Sequence, residues 1–260
     1  MTFRRTILAA AALILPMTWP IAALSAQSVS YSQSTFDPLQ WSFTTVTTQG
    51  STTTSQVLQD VGGNPGDYWR HRLSTPQLVG NSSVRYRVAN MNNTFLYNPT
   101  ARGALESLTY SFDVLGTASS GFPRPFFGSF VPTLRQNSQF FFLPTAAQPV
   151  SGWSSFSATS GGNSAWIDPN NQGSALRPDF SALGGEMQFG YIFTLGLVSC
   201  PDGPGCFALS IDAGLDNFSV TATAAAPVST VPEPSTYALM SAGLAAVMFM
   251  ARRRRLAQRD

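Results

Sequence analysis

Met187-Gln188-Phe189-Gly190-Tyr191-Ile192-Phe193-Thr194-Leu195-Gly196-Leu197 sets an apolar side chain at every second position. Met187, Phe189, Tyr191, Phe193, Leu195 and Leu197 therefore share one face of an extended chain, because successive side chains of a strand point to opposite sides. The same period of two runs through Val84-Arg85-Tyr86-Arg87-Val88 and through Leu108, Tyr110, Phe112 and Val114. It returns in Phe207, Leu209 and Ile211, and again in Phe218, Val220 and Ala222. Less regular runs at Trp41–Thr48, Gln139–Leu143 and Trp153–Ala158 read as further strands. No segment between residues 27 and 223 carries a 3.6-residue apolar stripe of helical length. Short alternating runs divided by Gly, Pro and Asn clusters predict an all-β domain over 27–223, a single antiparallel β-sandwich of jelly-roll type.

The segments flanking this body read differently. Met1-Thr2-Phe3-Arg4-Arg5 is basic, Ile7 to Leu15 is apolar, and Pro16 and a polar-shifting stretch to Gln27 follow. That is the layout of a secretory signal peptide over 1–26. Ala23-Leu24-Ser25 puts small residues at the −3 and −1 positions for cleavage after Ser25 by signal peptidase. Nine apolar residues are too few to span a hydrocarbon layer of about 30 Å. At the other end, a Pro/Ala/Thr linker (224–230) leads into Val231-Pro232-Glu233-Pro234-Ser235-Thr236. An apolar segment from Tyr237 to Ala251 comes next, then Arg252-Arg253-Arg254-Arg255 in the terminal stretch 252–260. As a helix that segment rises about 22 Å. It is short for a permanent anchor and only moderately apolar, yet the arginines behind it form a strong positive-inside signal. The two prolines hold the peptide before it extended and open to an enzyme.

The order, spacing and placement of residues 231–260 resemble the PEP-CTERM sorting signal of Gram-negative bacteria. The resemblance implies that Pro232, Glu233 and Pro234 form the processing motif and that Arg252, Arg253, Arg254 and Arg255 fix topology around a transmembrane helix over 237–251. It implies recognition by an exosortase, removal of the tail, transient anchoring in the inner membrane, and final residence at the cell surface or in a biofilm exopolysaccharide matrix. Three fragments of the body also resemble secreted carbohydrate-binding-type sandwich domains. They are Gly62-Gly63-Asn64-Pro65-Gly66-Asp67-Tyr68, Arg177-Pro178-Asp179-Phe180-Ser181, and Leu215-Asp216-Asn217-Phe218-Ser219-Val220.

Only 11% of the residues are charged, and the net charge of +2 comes from the arginines at the two ends. Without Arg4, Arg5, Arg252–Arg255 and Arg259 the body is mildly acidic, which excludes nucleic acid as a partner because phosphate binding needs a basic face. Cys200 and Cys206 flank Pro201-Asp202-Gly203-Pro204-Gly205, and two cysteines so placed in an exported chain predict a disulfide across a hairpin loop.

Catalytic groupings are scarce. His71, in Tyr68-Trp69-Arg70-His71-Arg72, is the single histidine, and no Gly-x-Ser-x-Gly elbow accompanies it. A place on a surface strand or loop is expected for it. The body's two glutamates, Glu106 and Glu186, stand far apart in sequence, whereas glycoside hydrolysis needs two carboxyl groups flanking one bond. Binding chemistry is better supplied. Trp69, Trp153 and Trp166 are candidate platforms for sugar rings. Asp168, Asp212 and Asp216 are candidate oxygen ligands for calcium (Ca2+). The expectation is a non-enzyme associated with extracellular polysaccharide. The alternatives are a secreted polysaccharide-acting glycoside hydrolase and a structural matrix protein with no specific ligand.

Overall fold

The computed structural model describes residues 27–49, 54–77, 83–120, 128–199, 208–226 and 234–257. The proposed signal peptide, the Cys200–Cys206 pair and the motif residues Pro232 and Glu233 lie outside them. Ala26–Val228 is one compact unit, and the C-terminal helix belongs to a second.

The unit is an antiparallel β-sandwich, as the alternation predicts. One sheet has the order β3 (Thr54–Gly63), β4 (Gly66–Ser74), β11 (Ser210–Ala224), β6 (Leu105–Ser120), β9 (Ser154–Gly161). Strand β1 (Ser28–Gln33) pairs with the far half of β11, beyond β4. The other sheet runs β2 (Trp41–Gln49), β5 (Ser83–Tyr97), β10 (Met187–Ser199), β7 (Ser129–Gln136), β8 (Gln139–Phe142). A single turn, α1 (Pro99–Arg102), joins β5 to β6 and is capped by the Asn98 side chain.

Inward-facing side chains of both sheets form one aromatic core. Phe218 of β11 meets Trp41 of β2 at 5.5 Å and Tyr191 of β10 at 5.6 Å between ring centroids. Tyr110 of β6 donates its hydroxyl across the core to the Thr133 carbonyl of β7 at 2.9 Å. Phe189, Tyr191, Phe193 and Leu195 are fully buried, so the face read from β10 is the core face.

Three differences from the sequence reading have physical causes. Ile211, from the first of the two last runs, and the run at 218–222 belong to one strand, β11. Its core positions are Ile211, Ala213 and Leu215, then Phe218, Val220 and Ala222, so the alternation changes phase midway. A β-bulge absorbs the change: the register against β6 shifts between Asp216 and Ser219, with Asn217 at φ 50°. Strand β7 hides from a period-two search because both its faces are covered. Phe130 and Leu134 enter the main core, while Val131 packs outside with Ala89, Met91, Phe142 and Ile192. His71 is not at the surface. It points into the core between Phe130, Tyr191 and Phe193 and is 1% exposed.

The tail forms α2 (Pro234–Ala257), which contains the expected helix over 237–251. Leu239, Met240, Leu244, Val247, Met248 and Phe249 are all exposed along it. Among the described residues no helix is long and apolar enough to cross a membrane, so the transmembrane span expected there is not met. The small residues Ser241, Ala242, Gly243, Ala245 and Ala246 dilute the apolar run, and Arg252 ends it.

Candidate functional site

Of the three tryptophans proposed as sugar platforms, two are closed to any ligand. Trp69 is 1% exposed and Trp166 is 0% exposed; each is a core residue. Period-two patterning tells which strand face an aromatic ring occupies, not which face meets solvent. Trp153 alone is half-buried, standing edge-on to Tyr68 at 5.4 Å. Both rings lie over the backbone of β11 at Gly214, where an added Cβ would come within 2.7 Å of Tyr68 and 3.3 Å of Trp153.

The same outer face of the first sheet carries a cluster of paired charges. Asp212 receives Arg70 Nε at 2.8 Å and Arg70 Nη2 at 2.6 Å, and Arg72 Nη2 stands 3.3 Å away. Arg70 also reaches Asp60 at 2.9 Å. Burial pulls the Asp212 carboxyl upward, but the hydrogen bonds from Arg70 and Arg72 outweigh it and hold the group below its usual range. Asp212→Asn leaves Arg70 without its bidentate partner in a half-buried position. The expected loss is about 2–3 kcal/mol, read as a lowered urea midpoint at neutral pH.

Nearby, Asp113 and Asp216 are direct cross-strand partners on β6 and β11. Two carboxylates side by side raise the question of hydrolysis, but both are occupied. Asp113 accepts from Asn64 Nδ2, Asn217 Nδ2 and Ser155 Oγ at 3.2, 2.8 and 2.6 Å. Asp216 accepts the backbone N–H groups of Asn64 and Asn217 at 2.5 and 2.6 Å. Burial raises the Asp216 carboxyl, with Asp113 and Asp67 adding to the rise against those two donors. The arrangement ties the β3–β4 hairpin tip to the β11 bulge.

The calcium candidates do not assemble. Asp212 serves the arginines, Asp216 serves the hairpin, and Asp168 accepts the Asn170 backbone N–H at 2.8 Å within its own turn. Among the described residues no group of three or more His, Cys, Asp and Glu side chains is disposed to hold a metal.

An open, polar recess lies at one end of the second sheet. A cavity of about 390 Å³ is lined by Asn93 and Leu96 of β5, Arg135 of β7, Asn137 and Ser138 of the β7–β8 turn, and Glu186 and Gln188 at the start of β10. Gln188 is 5% exposed; its Nε2 donates to the Asn92 carbonyl at 2.9 Å and to Asn93 Oδ1 at 3.2 Å. Its Oε1 is buried without a partner. Arg135 and Glu186 form no ion pair among the described residues. Of these residues only Glu186 drew attention in the sequence, as an isolated glutamate, because polar side chains in turns and strand ends carry no periodic signal.

The turn itself is unusual. Asn137 and Ser138 both take positive φ, 51° and 65°, the geometry of a two-residue hairpin turn that ordinarily selects glycine second. A serine there costs about 1 kcal/mol over glycine. Ser138→Gly is therefore expected to raise the melting midpoint by about 2–4 °C, which a thermal scan checks.

The tail matches a known sorting motif. Residues 230–255 match the PEP-CTERM protein-sorting motif. The matched stretch of this PEP-CTERM tail contains Pro232, Glu233 and Pro234 as well as the four arginines. No curated protein matches the chain. Among solved structures, similar folds include a carbohydrate-binding module that recognises mannan, with 12% identity, TM-score 0.34 and coverage of 76% of this chain and 99% of that one. An exo-β-agarase gives 12% identity and TM-score 0.36, covering 73% of this chain and 24% of that one. A basic winged bean lectin solved with Tn-antigen gives 11% and 0.34, covering 75% and 98%. At these TM-scores the likenesses carry no argument about ligand or activity.

Proposed function

We propose that this chain is an exported, non-catalytic protein of a Gram-negative bacterium, that an exosortase removes its tail, and that the mature sandwich associates with extracellular polysaccharide. The observation that carries the reading is the PEP-CTERM motif over 230–255. The form of α2 supports it. Apolar side chains such as Leu239, Val247 and Phe249 are exposed along the helix, which suits brief residence in an apolar medium, and Arg252 and Arg254 close it. A segment too short for permanent anchoring is suited to an intermediate that is released. The non-catalytic part is supported by the engagement of Asp113, Asp212 and Asp216 in hydrogen bonds and ion pairs.

The test compares the native host with an exosortase-deficient strain, following the protein in membrane and extracellular fractions. Release in the first strain and retention in the membrane of the second is expected. Equal release from both strains would overturn the reading. Binding of the released protein to the host's extracellular polysaccharide is expected to be unchanged by a calcium chelator, because Asp212 and Asp216 already have protein partners. A co-sedimentation assay checks it.

A further inference from the structure

We propose that the cavity between the end of β5, the β7–β8 turn and the start of β10 binds a neutral saccharide unit through the mixed donors and acceptors of its wall. This rests on the polysaccharide-associated reading above and names its site.

Gln188 is a fixed part of the cavity wall, its Nε2 held by the Asn92 carbonyl and by Asn93 Oδ1. A volume of about 390 Å³ lies within the range of small-molecule sites.

The remaining lining selects the class of ligand. Arg135 offers only donors, Glu186 only acceptors, and the Asn93 and Asn137 amides and the Ser138 hydroxyl offer both. The two opposite charges leave no net charge, so the site favours neither a phosphate nor a cation. Neighbouring hydroxyls of a sugar, each both donor and acceptor, match such a set. Leu96 supplies an apolar surface for the C–H face of the ring. The strained turn bears on the same point: Asn137 and Ser138 hold two polar side chains at the cavity where glycine would be the easier second residue.

The experiment uses the protein purified from the host's extracellular fraction. It is titrated calorimetrically with glucose, galactose, mannose and N-acetylglucosamine, with short neutral oligomers of each, and with glucuronate. At least one neutral sugar is expected to bind. Glu186→Ala and Ser138→Ala, both exposed positions, are expected to weaken it about tenfold or more without lowering the melting midpoint. Trp153→Ala should leave binding unchanged. Neutral sugars that bind equally well to the cavity variants would overturn this site while leaving the polysaccharide reading intact. Preference for glucuronate would overturn the neutral class. If no sugar binds although the protein still co-sediments with the host polysaccharide, the site is wrong and the reading stands. If it does not co-sediment either, both fall.

Discussion

Replacing Gly190 with alanine is expected to destabilise the sandwich by more than about 3 kcal/mol. The register of β10 against β5 jumps from Gln188–Leu96 to Gly190–Met91, so that β5 makes an excursion at 92–95 that β10 does not follow. At that jump the two strands approach so closely that a Cβ on Gly190 would stand 2.0 Å from the Asn90 carbonyl oxygen, 2.9 Å from Met91 Cα and 3.0 Å from the Asn90 carbonyl carbon. All three are backbone atoms, which no rotamer change can remove. Either the strands part, breaking ladder hydrogen bonds in the middle of the sheet, or the methyl is not accommodated. Gly196 supplies the control. It lies in the same strand, and a Cβ added there would meet nothing within 4 Å, so Gly196→Ala should stay within about 0.5 kcal/mol of the parent. Urea unfolding of both variants checks the pair, and a loss below about 1 kcal/mol for Gly190→Ala would mean the strands are farther apart than described. The excursion also bears on the cavity, because Asn93 lies within it and lines the wall.

The second large effect is on acid stability. His71 is wholly buried, and burial pushes its imidazole down to about 3, with Asp212 opposing the shift. Its Nε2 bonds the Tyr191 hydroxyl at 2.8 Å, and its Nδ1 has no partner. In the unfolded chain the same group takes a proton near pH 6.5. Between these two values the unfolded state holds one proton more than the folded state. Stability therefore falls as the pH falls, by up to about 1.4 kcal/mol per pH unit. From about pH 6 to pH 4 the expected loss from this one residue is about 2.5 kcal/mol. Other groups titrate in the same window with opposite signs. The depressed Asp212 carboxyl contributes stability above its unfolded value that is lost on acidification, whereas the raised Asp216 carboxyl favours the folded state as it protonates. The double variant His71→Phe/Tyr191→Phe isolates the histidine, since it removes the base and its partner hydroxyl together while keeping two rings in the core. Its stability should fall less over that interval by the stated amount. Parallel curves for parent and double variant would show that His71 does not titrate as described.

Much of the sandwich was legible because its core strands alternate. Met187–Leu195 and Leu108–Val114 announce both strand and inner face, and the phase change between Leu215 and Phe218 marks the bulge once the two runs are seen as one strand. What stayed hidden had reasons of its own. Strand β7 is apolar on both faces, and Pro132 sits within it, so alternation fails. His71 alternates correctly with Arg70 and Arg72, but its chemistry pointed to solvent and its neighbours' charges reinforced that reading; only the partner Tyr191 on the opposite sheet accounts for its burial. The site was less legible than the fold. Trp69 and Trp166 were chosen for residue type and serve the core instead, while Gln188, Asn137 and Ser138 matter through a place in the cavity wall and two backbone angles that no local pattern encodes.

The central claim is that the chain is exported and delivered to the extracellular side through its C-terminal tail. Its most direct test is the intact mass of the protein recovered from the extracellular matrix of the native host. A single species is expected, lacking the N-terminal segment up to about Ser25 or Ala26 and lacking the apolar helix with Arg252–Arg255. A matrix-borne protein that keeps residues 237–260 would contradict it.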